Sequence, residues 1–436
     1  MEEDVRSLKS PILSEPEIER ELVYLKNAVD QSKKRIDFTT AHDPDVQKAI
    51  RVVERFLRKH KRVCYGGTAI NALLPNNLKF YNPKYEIPDY DMFTPDVKGD
   101  IEALIKDLHE EGFTDVNQKI GIHEGTRKVL VNYIPVADFT EMHEVLFRTI
   151  RRRAFVIDGI YYCDPEFLRM LMYLELSRPR GQVDRWEKVF ERLMALEKAH
   201  PMRPCRQSVL VPHVDETVRK TILEFISKRK RVLAGVETVE YYEKAPSRVP
   251  LRSLVEAQGV VLFFSPEAKH DAEDLSDILG HSTQYVKKEA LADDFFDCYM
   301  IRYERRPIAL IVQERACHSY IEVSLDTGAK IRLASLDLLM NLYLSFVVFG
   351  KKEEKFLQVP ILCLAELAHG YLRKYRHQPT KHIPAFTVSC SGKQKGFASL
   401  QKERAERTEK VKKGNTKTKK TITGGSIRRK TRRNRH

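Results

Sequence analysis

The stretch VCYGGTAINALLP (63–75), followed by EIPDYDMFTPD (86–96), decides the fold of this chain. A short apolar strand ends in two glycines, Gly66 and Gly67, and an apolar helix begins directly after them. A second strand, DYDMF, then brings two aspartates that flank a single tyrosine. Strands that alternate with helices in this way are typical of a small mixed sheet backed by helices. The sequence therefore predicts an α/β (α+β) domain around these motifs.

The same kind of pattern divides the chain into five predicted segments. They are an N-terminal helical segment (1–40), the α/β domain (41–193), a helical connection (194–237), a C-terminal α/β domain (238–390) and a basic tail (391–436).

The C-terminal α/β domain is interpreted as an inactive, degenerate duplicate of the first. A shift of 170 residues pairs Met170 with Met340 and Tyr173 with Tyr343, in helices that each follow a strand-rich stretch. Apolar helical periodicity alone can also generate such pairs. The C-terminal domain lacks a GG followed by D-x-D, so we expect it to carry no chemistry.

The positive charge of the chain is concentrated in its tail. Residues 391–436 hold 17 Lys and Arg against 3 Asp and Glu, which accounts for nearly all of the net charge of +15. A segment of this composition cannot bury enough apolar surface to fold alone, so we expect it to be disordered. The nearly neutral body can bind RNA only through local basic clusters.

Other features of the composition argue for an intracellular protein. No apolar run approaches the length of a membrane span, and the polar N-terminus is unlike a signal peptide. The seven cysteines are isolated from one another in sequence. We therefore expect reduced thiols, no zinc site and no contact with a membrane.

The D-x-D motif is a candidate metal site. Residues two apart in a strand point to the same face, so Asp89 and Asp91 project together and away from Tyr90. Two carboxylates about 5–7 Å apart repel each other unless a cation lies between them. Oxygen ligands of this kind suit Mg²⁺ or Mn²⁺. A lone D-x-D in a solvated loop is the common alternative.

The two glycines and a third acid strengthen the metal interpretation. Gly66 and Gly67 place backbone N–H groups and a helix N-terminus at one point, and Thr68 adds a hydroxyl, which together make an anion site. Asp138 lies near the end of a long predicted strand, TRKVLVNYIPVADFT. A third acid would let two metal ions act in an in-line phosphoryl displacement. By spacing alone, Asp138 fits a strand-end or helix-cap aspartate equally well.

This order of motifs resembles the DNA polymerase β-like nucleotidyltransferase superfamily. Four blocks, GGTAINALLP, FYNPKYEIPDYDMF, GIHEGTRKVLVNYIPVADFT and MYLELSRPRGQVDRWEKVFERL, resemble the catalytic poly(A) polymerases of giant and other large nucleocytoplasmic DNA viruses. The similarity runs from Val63 to Leu193, and it includes the insertion between the glycines and the D-x-D.

The resemblance implies a fold, an activity and a set of metal ligands. It implies a nucleotidyltransferase fold with a second, degenerate nucleotidyltransferase-like domain. It implies that Asp89, Asp91 and Asp138 bind two divalent ions, Mg²⁺ or Mn²⁺, and that ATP is the substrate. The activity would be template-independent transfer of AMP to an RNA 3′ end with release of pyrophosphate. A viral enzyme of this kind would work in the host cytoplasm, in a viral factory, or in the virion.

Basic side chains supply candidate contacts to the nucleotide. The block SRPRGQVDRWEKV carries Arg178 and Lys188, which we expect to reach the triphosphate from the side opposite the metals. The nucleotide site is thus predicted from Gly66, Gly67, Thr68, Arg178 and Lys188. A surface helix with solvated charges explains the same pattern.

The candidate contacts to RNA are two basic clusters and the tail. RTIRRR (148–153) contributes Arg151, Arg152 and Arg153, and SKRKR (227–231) contributes Lys228 and Arg229. Each cluster also fits a solvated helix face. The tail would add salt-dependent attraction for RNA, or it would serve as a nuclear-import or virion-packaging signal.

Two other functions fit the same residues. One is a nucleotidyltransferase that acts on another acceptor, an oligonucleotide or a small molecule. The other is a non-catalytic RNA-binding scaffold on the same fold. The residues also leave open whether the chain works as a homodimer or with a separate processivity subunit.

Overall fold

A computed structural model of the chain describes residues 14–409, except 83, 124, 203, 206–212, 289–296, 351–354 and 397, and describes only the backbone of 355–360. Most of the predicted basic tail, residues 410–436, therefore lies outside the described residues, as does the start of the N-terminal helical segment.

The N-terminal half contains one mixed sheet and the helices around it. Its helices are α1 (Glu15–Ala41), α2 (Pro44–His60), α3 (Gly66–Leu73), α4 (Val97–Glu110), α5 (Glu144–Arg153), α6 (Pro165–Leu176) and α7 (Trp186–Ala199). Its strands are β1 (Val63–Tyr65), β2 (Tyr90–Thr94), β3 (Val116–Ile120), β4 (Thr126–Val131), β5 (Ile134–Glu141), β6 (Phe155–Ile157) and β7 (Ile160–Tyr162). They form the sheet in the order β3-β4-β5-β2-β1-β7-β6.

The C-terminal half contains a second mixed sheet. Its helices are α8 (Glu216–Lys228), α9 (Val236–Lys244), α10 (Leu251–Glu256), α11 (Ala268–Leu279), α12 (Leu336–Phe349), α13 (Lys355–His377) and α14 (398–409). Its strands are β8 (Val232–Leu233), β9 (Val261–Ser265), β10 (Thr283–Lys288), β11 (Cys298–Tyr303), β12 (Arg306–Gln313), β13 (His318–Ser324), β14 (Lys330–Ala334) and β15 (Cys390–Ser391). Their order is β10-β11-β12-β9-β8-β14-β13-β15.

The second sheet repeats the strand order and directions of the first. In both sheets an antiparallel three-stranded meander joins a parallel neighbour, β5 beside β2 and β12 beside β9. Next in the first sheet, β2 pairs with β1 in antiparallel and β1 with β7 in parallel. The second sheet has the same two pairings, β9 with β8 in antiparallel and β8 with β14 in parallel. The predicted fold class, mixed sheets backed by helices, is confirmed.

The two halves meet through the helices that the 170-residue shift relates. Helix α6 packs along α12, and Asn341 Nδ2 donates a hydrogen bond to the Met170 carbonyl oxygen at 3.0 Å. Tyr173 and Tyr343 are both fully buried. The core of the molecule is therefore continuous across the junction between its halves.

Local sequence explains where the elements next to the site begin. Asp43 caps α2 by accepting hydrogen bonds from the Asp45 and Val46 N–H groups. The apolar residues of α2, such as Phe56, are buried under the sheet. The long strand predicted around Asp138 is wrong, because the chain turns back at Asn132 and Tyr133, both at positive φ, and forms the hairpin β4–β5.

The C-terminal segment differs from its prediction. Residues 391–409 were expected to belong to a disordered tail, but β15 pairs with β13, and α14 follows it. Arg404 Nε and Arg407 Nη2 donate to the carbonyl oxygens of Ile120 and Ile122, at 2.8 and 2.9 Å, in the turn after β3. These two bonds attach the helix to the N-terminal domain.

The cysteines also differ from their prediction. The expectation of reduced thiols is wrong for two pairs, since Cys205 is joined to Cys363 and Cys317 to Cys390. The paired cysteines are 158 and 73 residues apart in sequence. The spacing of isolated cysteines does not indicate which of them will pair. Within the described residues, none of the helices has the length and apolarity of a membrane-spanning segment.

Candidate active site

The three predicted carboxylates converge on two neighbouring inner strands of the first sheet, β2 and β5. Asp91 and Asp138 are register partners on the parallel strands β2 and β5, and Asp89 lies in the loop just before β2. Ligand oxygens of the three residues lie within 4.8 Å of one another. Asp89 is exposed, Asp91 is half-buried and Asp138 is buried, so the cluster forms a small acidic site that is open on one side.

Two carboxylates of this cluster, Asp91 and Asp138, resist ionisation. The pKa of Asp91 is raised to about 7, mainly by burial and to a smaller extent by the neighbouring charges of Asp89 and Asp138. Burial also raises the pKa of Asp138, while the hydrogen bond from Lys128 opposes the shift. The site therefore disfavours the charged forms of Asp91 and Asp138, and a bound cation would reverse this effect.

Lys128 is the nearest cation to this cluster. It lies on β4 directly opposite Asp138 on β5, and its Nζ atom forms an ion pair with Asp138 Oδ2. The other oxygen, Asp138 Oδ1, is buried without a hydrogen-bond partner. An unpaired buried oxygen beside two further carboxylates is the donor set that a hard divalent cation prefers.

The two glycines are required by the close approach of the strand and the helix. Gly66 begins α3 with a φ of +71°, and a Cβ atom there would lie 2.5 Å from Asp91 Oδ2. Gly67 follows, under the side chains of Tyr81 and Arg192. The first turn of α3 thus touches the acidic cluster, with its N–H groups beside the carboxylates.

Thr68, predicted to belong to the nucleotide site, contacts the loop that carries Asp89. Its hydroxyl donates a hydrogen bond of 2.7 Å to the backbone carbonyl of Asp89, so its proton holds the loop before β2 against α3. Asp91 N–H also donates to the Asp89 carbonyl, at 3.1 Å. These two bonds hold the backbone of Asp89 in place, while its carboxylate is exposed.

A cationic side chain lies over the same turn. Arg192 on α7 donates a 2.9 Å hydrogen bond to the Tyr81 hydroxyl, and its guanidinium lies 4.8 Å from the centroid of the Phe80 ring. Both aromatic residues belong to the insertion between α3 and β2. This insertion therefore connects α7 to the glycine turn and narrows the site from one side.

The two predicted phosphate contacts lie in different environments. Lys188 is exposed, one turn before Arg192 on α7, and partial burial together with the charges of Arg192 and Arg185 lowers its pKa. Arg178 follows α6, and burial lowers its pKa to about 10. Its charge contributes to the low pKa of His318, a residue of β13, so Arg178 lies at the junction with the C-terminal half.

Some of the predicted RNA contacts are already paired. Arg153 forms a bidentate ion pair with Asp164, with Nε and Nη2 at 2.9 and 3.0 Å from its two oxygens. Arg229 is paired with Asp271 at 3.0 Å. The other predicted contacts, Arg151, Arg152 and Lys228, are exposed. The two clusters lie on different halves of the molecule, at the ends of α5 and α8.

Sequence reasoning missed Lys128, Tyr81 and Arg192. Lys128 faces Asp138 only because the chain reverses at Asn132, and that turn was not recognised. Tyr81 and Arg192 are 111 residues apart in sequence, although the block that contains each of them was noted.

The second sheet has no acids at the corresponding register positions. Leu262 and Leu310 are partners on β9 and β12, where Asp91 and Asp138 are partners on β2 and β5. Both leucines are buried.

Comparisons with known proteins agree with this geometry. Residues 51–182, which include all three carboxylates, match the family model of the poly(A) polymerase catalytic subunit. A provisionally named poly(A) polymerase catalytic subunit of Acanthamoeba polyphaga mimivirus is 32% identical over 209 residues, which cover 44% of this chain and 34% of that protein. A counterpart with the same provisional name in African swine fever virus (strain Badajoz 1971 Vero-adapted) is 30% identical over 168 residues, 37% of this chain and 35% of that protein.

The resemblance to viral poly(A) polymerases is confirmed in this region. The matches span about a third of the length of the curated relatives. The fold of the whole chain is similar to the crystal structure of the Megavirus polyadenylate synthase, with a TM-score of 0.74 at 17% identity over 95% of this chain and 87% of that one.

Proposed function

We propose that this chain is a polynucleotide adenylyltransferase that adds AMP from ATP to the 3′ end of single-stranded RNA without a template and releases pyrophosphate. The observation that carries the proposal is the convergence of Asp89, Asp91 and Asp138 within 4.8 Å, in a region that matches the catalytic subunit family. The charged forms of Asp91 and Asp138 are disfavoured by burial and by the neighbouring carboxylates, and a cation at the site would stabilise them.

The acidic site is the proposed metal centre. With Mg²⁺ or Mn²⁺ bound, it would supply two-ion chemistry, one ion to activate the RNA 3′-hydroxyl and one to steady the leaving pyrophosphate. Asp89 and Asp91 would hold both ions. Asp138 would orient the 3′-hydroxyl and help to hold the catalytic ion, and its unpaired Oδ1 atom is free for this role.

The nucleotide would lie between the glycine turn and α7. The N–H groups of Gly66 and Gly67 are suited to phosphate oxygens, because they begin a helix next to the acids. Lys188 and Arg192 lie on the opposite side of this turn and would neutralise the negative charge of the triphosphate. The burial of Arg178 favours a role at the junction of the halves instead of direct contact with phosphate.

RNA would reach the site along the side where the tail begins. Helix α14 is bound through Arg404 and Arg407 to the end of β3 and the turn after it, so the described part of the chain ends next to the catalytic domain. Residues 410–436 carry twelve Lys and Arg and no Asp or Glu, which suits attraction of a phosphate backbone. The exposed Arg151, Arg152 and Lys228 remain candidates for secondary contacts.

The C-terminal domain would support catalysis without performing it. Its sheet repeats the first topology, but leucines occupy the places of two acids. We interpret it as the inactive duplicate that the sequence suggests. Because the relatives are viral, we further propose a viral enzyme that acts in the host cytoplasm, in a viral factory, or in the virion.

A primer-extension assay tests the function. The full chain should extend an oligoadenylate primer with ATP in the presence of Mg²⁺ or Mn²⁺, and far more slowly with GTP, CTP or UTP. Asp138→Asn should abolish extension, whereas Glu102→Gln, which removes an exposed charge on α4, should leave it intact.

Two results would contradict the proposal. Product that forms from ATP without RNA would favour a nucleotidyltransferase with another acceptor. A complete lack of metal-dependent ATP turnover, with RNA binding retained, would favour a non-catalytic scaffold.

A further inference from the structure

Lys128, Asp138 and Asp91 form a single row across three neighbouring strands of the first sheet. Lys128 on β4 is the register partner of Asp138 on β5, and Asp138 is the register partner of Asp91 on β2. Direct partners on neighbouring strands carry their side chains on the same face of a sheet, with Cβ atoms about 5 Å apart in antiparallel pairs. The lysine therefore belongs to the same row as two of the three acids.

A β-bulge determines that a lysine takes this place. Counted from the hairpin turn, a regular register would set Arg127 opposite Asp138. The register of β4 and β5 shifts by one residue at Val136, which is an extra residue in β5, so that Lys128 faces Asp138 instead. A guanidinium holds a carboxylate through two parallel bonds, whereas an ammonium is a single point charge on a flexible chain and is more easily withdrawn.

Lys128 is the counter-ion that the chain itself supplies to the acidic site. Its Nζ atom pairs with Asp138 Oδ2, while Oδ1 of the same carboxylate is buried and accepts no hydrogen bond from the described residues. Burial and the other two acids raise the pKa of Asp91, and the charge of Lys128 opposes that rise. Arg185, whose charge also acts on Asp91, is paired with Glu175 at 3.1 Å. Among the ion pairs of the described residues, the one between Lys128 and Asp138 alone involves the three acids.

This counter-ion and a divalent ion compete for one carboxylate. The side chain of Asp138 is 7% exposed and cannot leave the site, whereas that of Lys128 is 40% exposed and can turn into water. A positive charge beside a cation site lowers the affinity of the site through Coulomb repulsion. The arrival of a metal ion would therefore have to displace the ammonium from Asp138 Oδ2.

We propose that Lys128 is a positioning residue that holds Asp138 in place for the metal and keeps the affinity of the acidic site for free divalent ions low. Mg²⁺ is commonly held by one or two carboxylates together with substrate phosphates. A site with low intrinsic affinity would thus retain its ions mainly when the triphosphate supplies further ligands. This inference rests on the proposed metal centre, because it assigns a role to a neighbour of that centre.

Direct metal binding tests the proposal. Mn²⁺ is titrated into the full chain without ATP or RNA, and the free ion is measured by electron paramagnetic resonance. Lys128→Met should bind Mn²⁺ at least about 10-fold more tightly than the wild type, because the competing charge is gone. Lys128→Arg keeps the charge and should stay close to the wild type. Lys119→Met is the matched control, since Lys119 is the exposed register partner of Lys128 on β3, one strand further from the acids, and its affinity should be unchanged.

Stability measurements distinguish this role from a merely structural one. In EDTA at pH 8, Lys128→Met should unfold at a lower urea concentration than the wild type, since the buried carboxylate of Asp138 has lost its counter-ion. Mn²⁺ should then stabilise the variant more than it stabilises the wild type. A substitution that only loosened the site would lower both the stability and the metal affinity. Opposite signs of the two effects would therefore support the proposal.

The results that would contradict the proposal can be told apart. Unchanged or weaker Mn²⁺ binding by Lys128→Met, with binding by the wild type intact, would overturn the role of Lys128 and leave the metal centre standing. An equal gain of affinity in Lys119→Met would also overturn it, because the effect would then belong to the general charge of the sheet. A wild type that binds no Mn²⁺ would overturn the metal centre and this inference together.

Discussion

Leu262 and Leu310 are register partners on β9 and β12, the places that Asp91 and Asp138 hold on β2 and β5. The two sheets share strand order and direction, and they differ at these positions because leucines replace the two acids. We therefore assign chemistry to the first sheet alone. Buried leucines need no polar partner, whereas the buried Asp138 is paired with Lys128 on the neighbouring strand. Expected consequences for binding, stability and catalysis can be tested individually.

Removing one acid should stabilise the metal-free protein. The pKa of Asp91 is raised to about 7, mainly by burial, so its ionised form destabilises the fold at pH 8. We expect Asp91→Asn to increase the free energy of unfolding by about 2–4 kcal/mol in EDTA, and to remove most of the further stabilisation that Mg²⁺ gives the wild type. Chemical denaturation with EDTA or Mg²⁺ measures both effects. Equal stabilisation of both proteins by Mg²⁺ would place the ion elsewhere.

Adding a methyl group to the glycine turn should displace a catalytic carboxylate. In Gly66→Ala the Cβ atom would lie 2.5 Å from Asp91 Oδ2, so we expect primer extension to fall by about 100-fold or more. Gly280→Ala is the matched control, since Gly280 has a φ of +85° but no atom within 4 Å of its Cβ position. It should lose about 1–3 kcal/mol of stability through backbone strain and retain activity. Equal activity of the two variants would contradict the arrangement of the site.

Loss of the cation on α7 should weaken ATP binding. Lys188→Met should raise KM for ATP by about 10-fold with a smaller change in kcat, because a charge-assisted bond to phosphate is lost. Lys198→Met, an exposed position at the end of the same helix, is the control and should leave KM unchanged. Steady-state kinetics at saturating primer distinguish the two. An unchanged KM in Lys188→Met would remove this residue from the nucleotide site.

A buried acid in the C-terminal half should make stability depend on pH. Burial raises the pKa of Glu314 to about 7, although Ser391 donates a 3.2 Å hydrogen bond to it. The folded state thus loses stability as the pH rises from about 4.5 through 7. Glu314→Gln should be more stable than the wild type by about 3 kcal/mol at pH 8, with a much smaller difference at pH 5. Exposed Glu224→Gln should show no such dependence. A constant difference across this range in urea unfolding would contradict the assignment.

Truncation after Glu409 should weaken RNA binding without changing the chemistry. Removing twelve positive charges should lower affinity for single-stranded RNA by at least about 10-fold at low salt and should flatten its dependence on salt. Turnover at saturating primer should be retained. A full-length chain with those Lys and Arg replaced by Gln should behave like the truncation in fluorescence anisotropy, and a shuffled tail should behave like the wild type. An unchanged salt slope would exclude the tail from RNA contact.

The sequence predicted the acidic site better than its surroundings. Asp89, Asp91 and Asp138 follow from motif order, because a strand places alternate residues on one face and the family resemblance supplies the third acid. Lys128 could not be placed, since its contact with Asp138 depends on a reversal at Asn132 that the continuous apolar pattern conceals. Partners that meet through tertiary contacts leave no periodic signal, as Arg192 and Tyr81 illustrate.

The predicted fold class was right, and the errors concerned the β4–β5 hairpin, the C-terminal segment and the disulfides. Alternating strands and helices indicated two mixed sheets, and the 170-residue shift identified the helices α6 and α12. The composition of residues 391–409 predicted disorder, because composition does not report that Arg404 meets a backbone carbonyl 284 residues away. Composition likewise does not report that Cys205 meets Cys363 or that Cys317 meets Cys390.

The attachment of α14 to the turn after β3 means that the polypeptide returns to its own first domain after building the second. The two halves are thus fastened at the 194–237 connection and again at this return. Because the core around α6 and α12 also joins the halves, the fragments left by a single protease nick in the connection would still elute together.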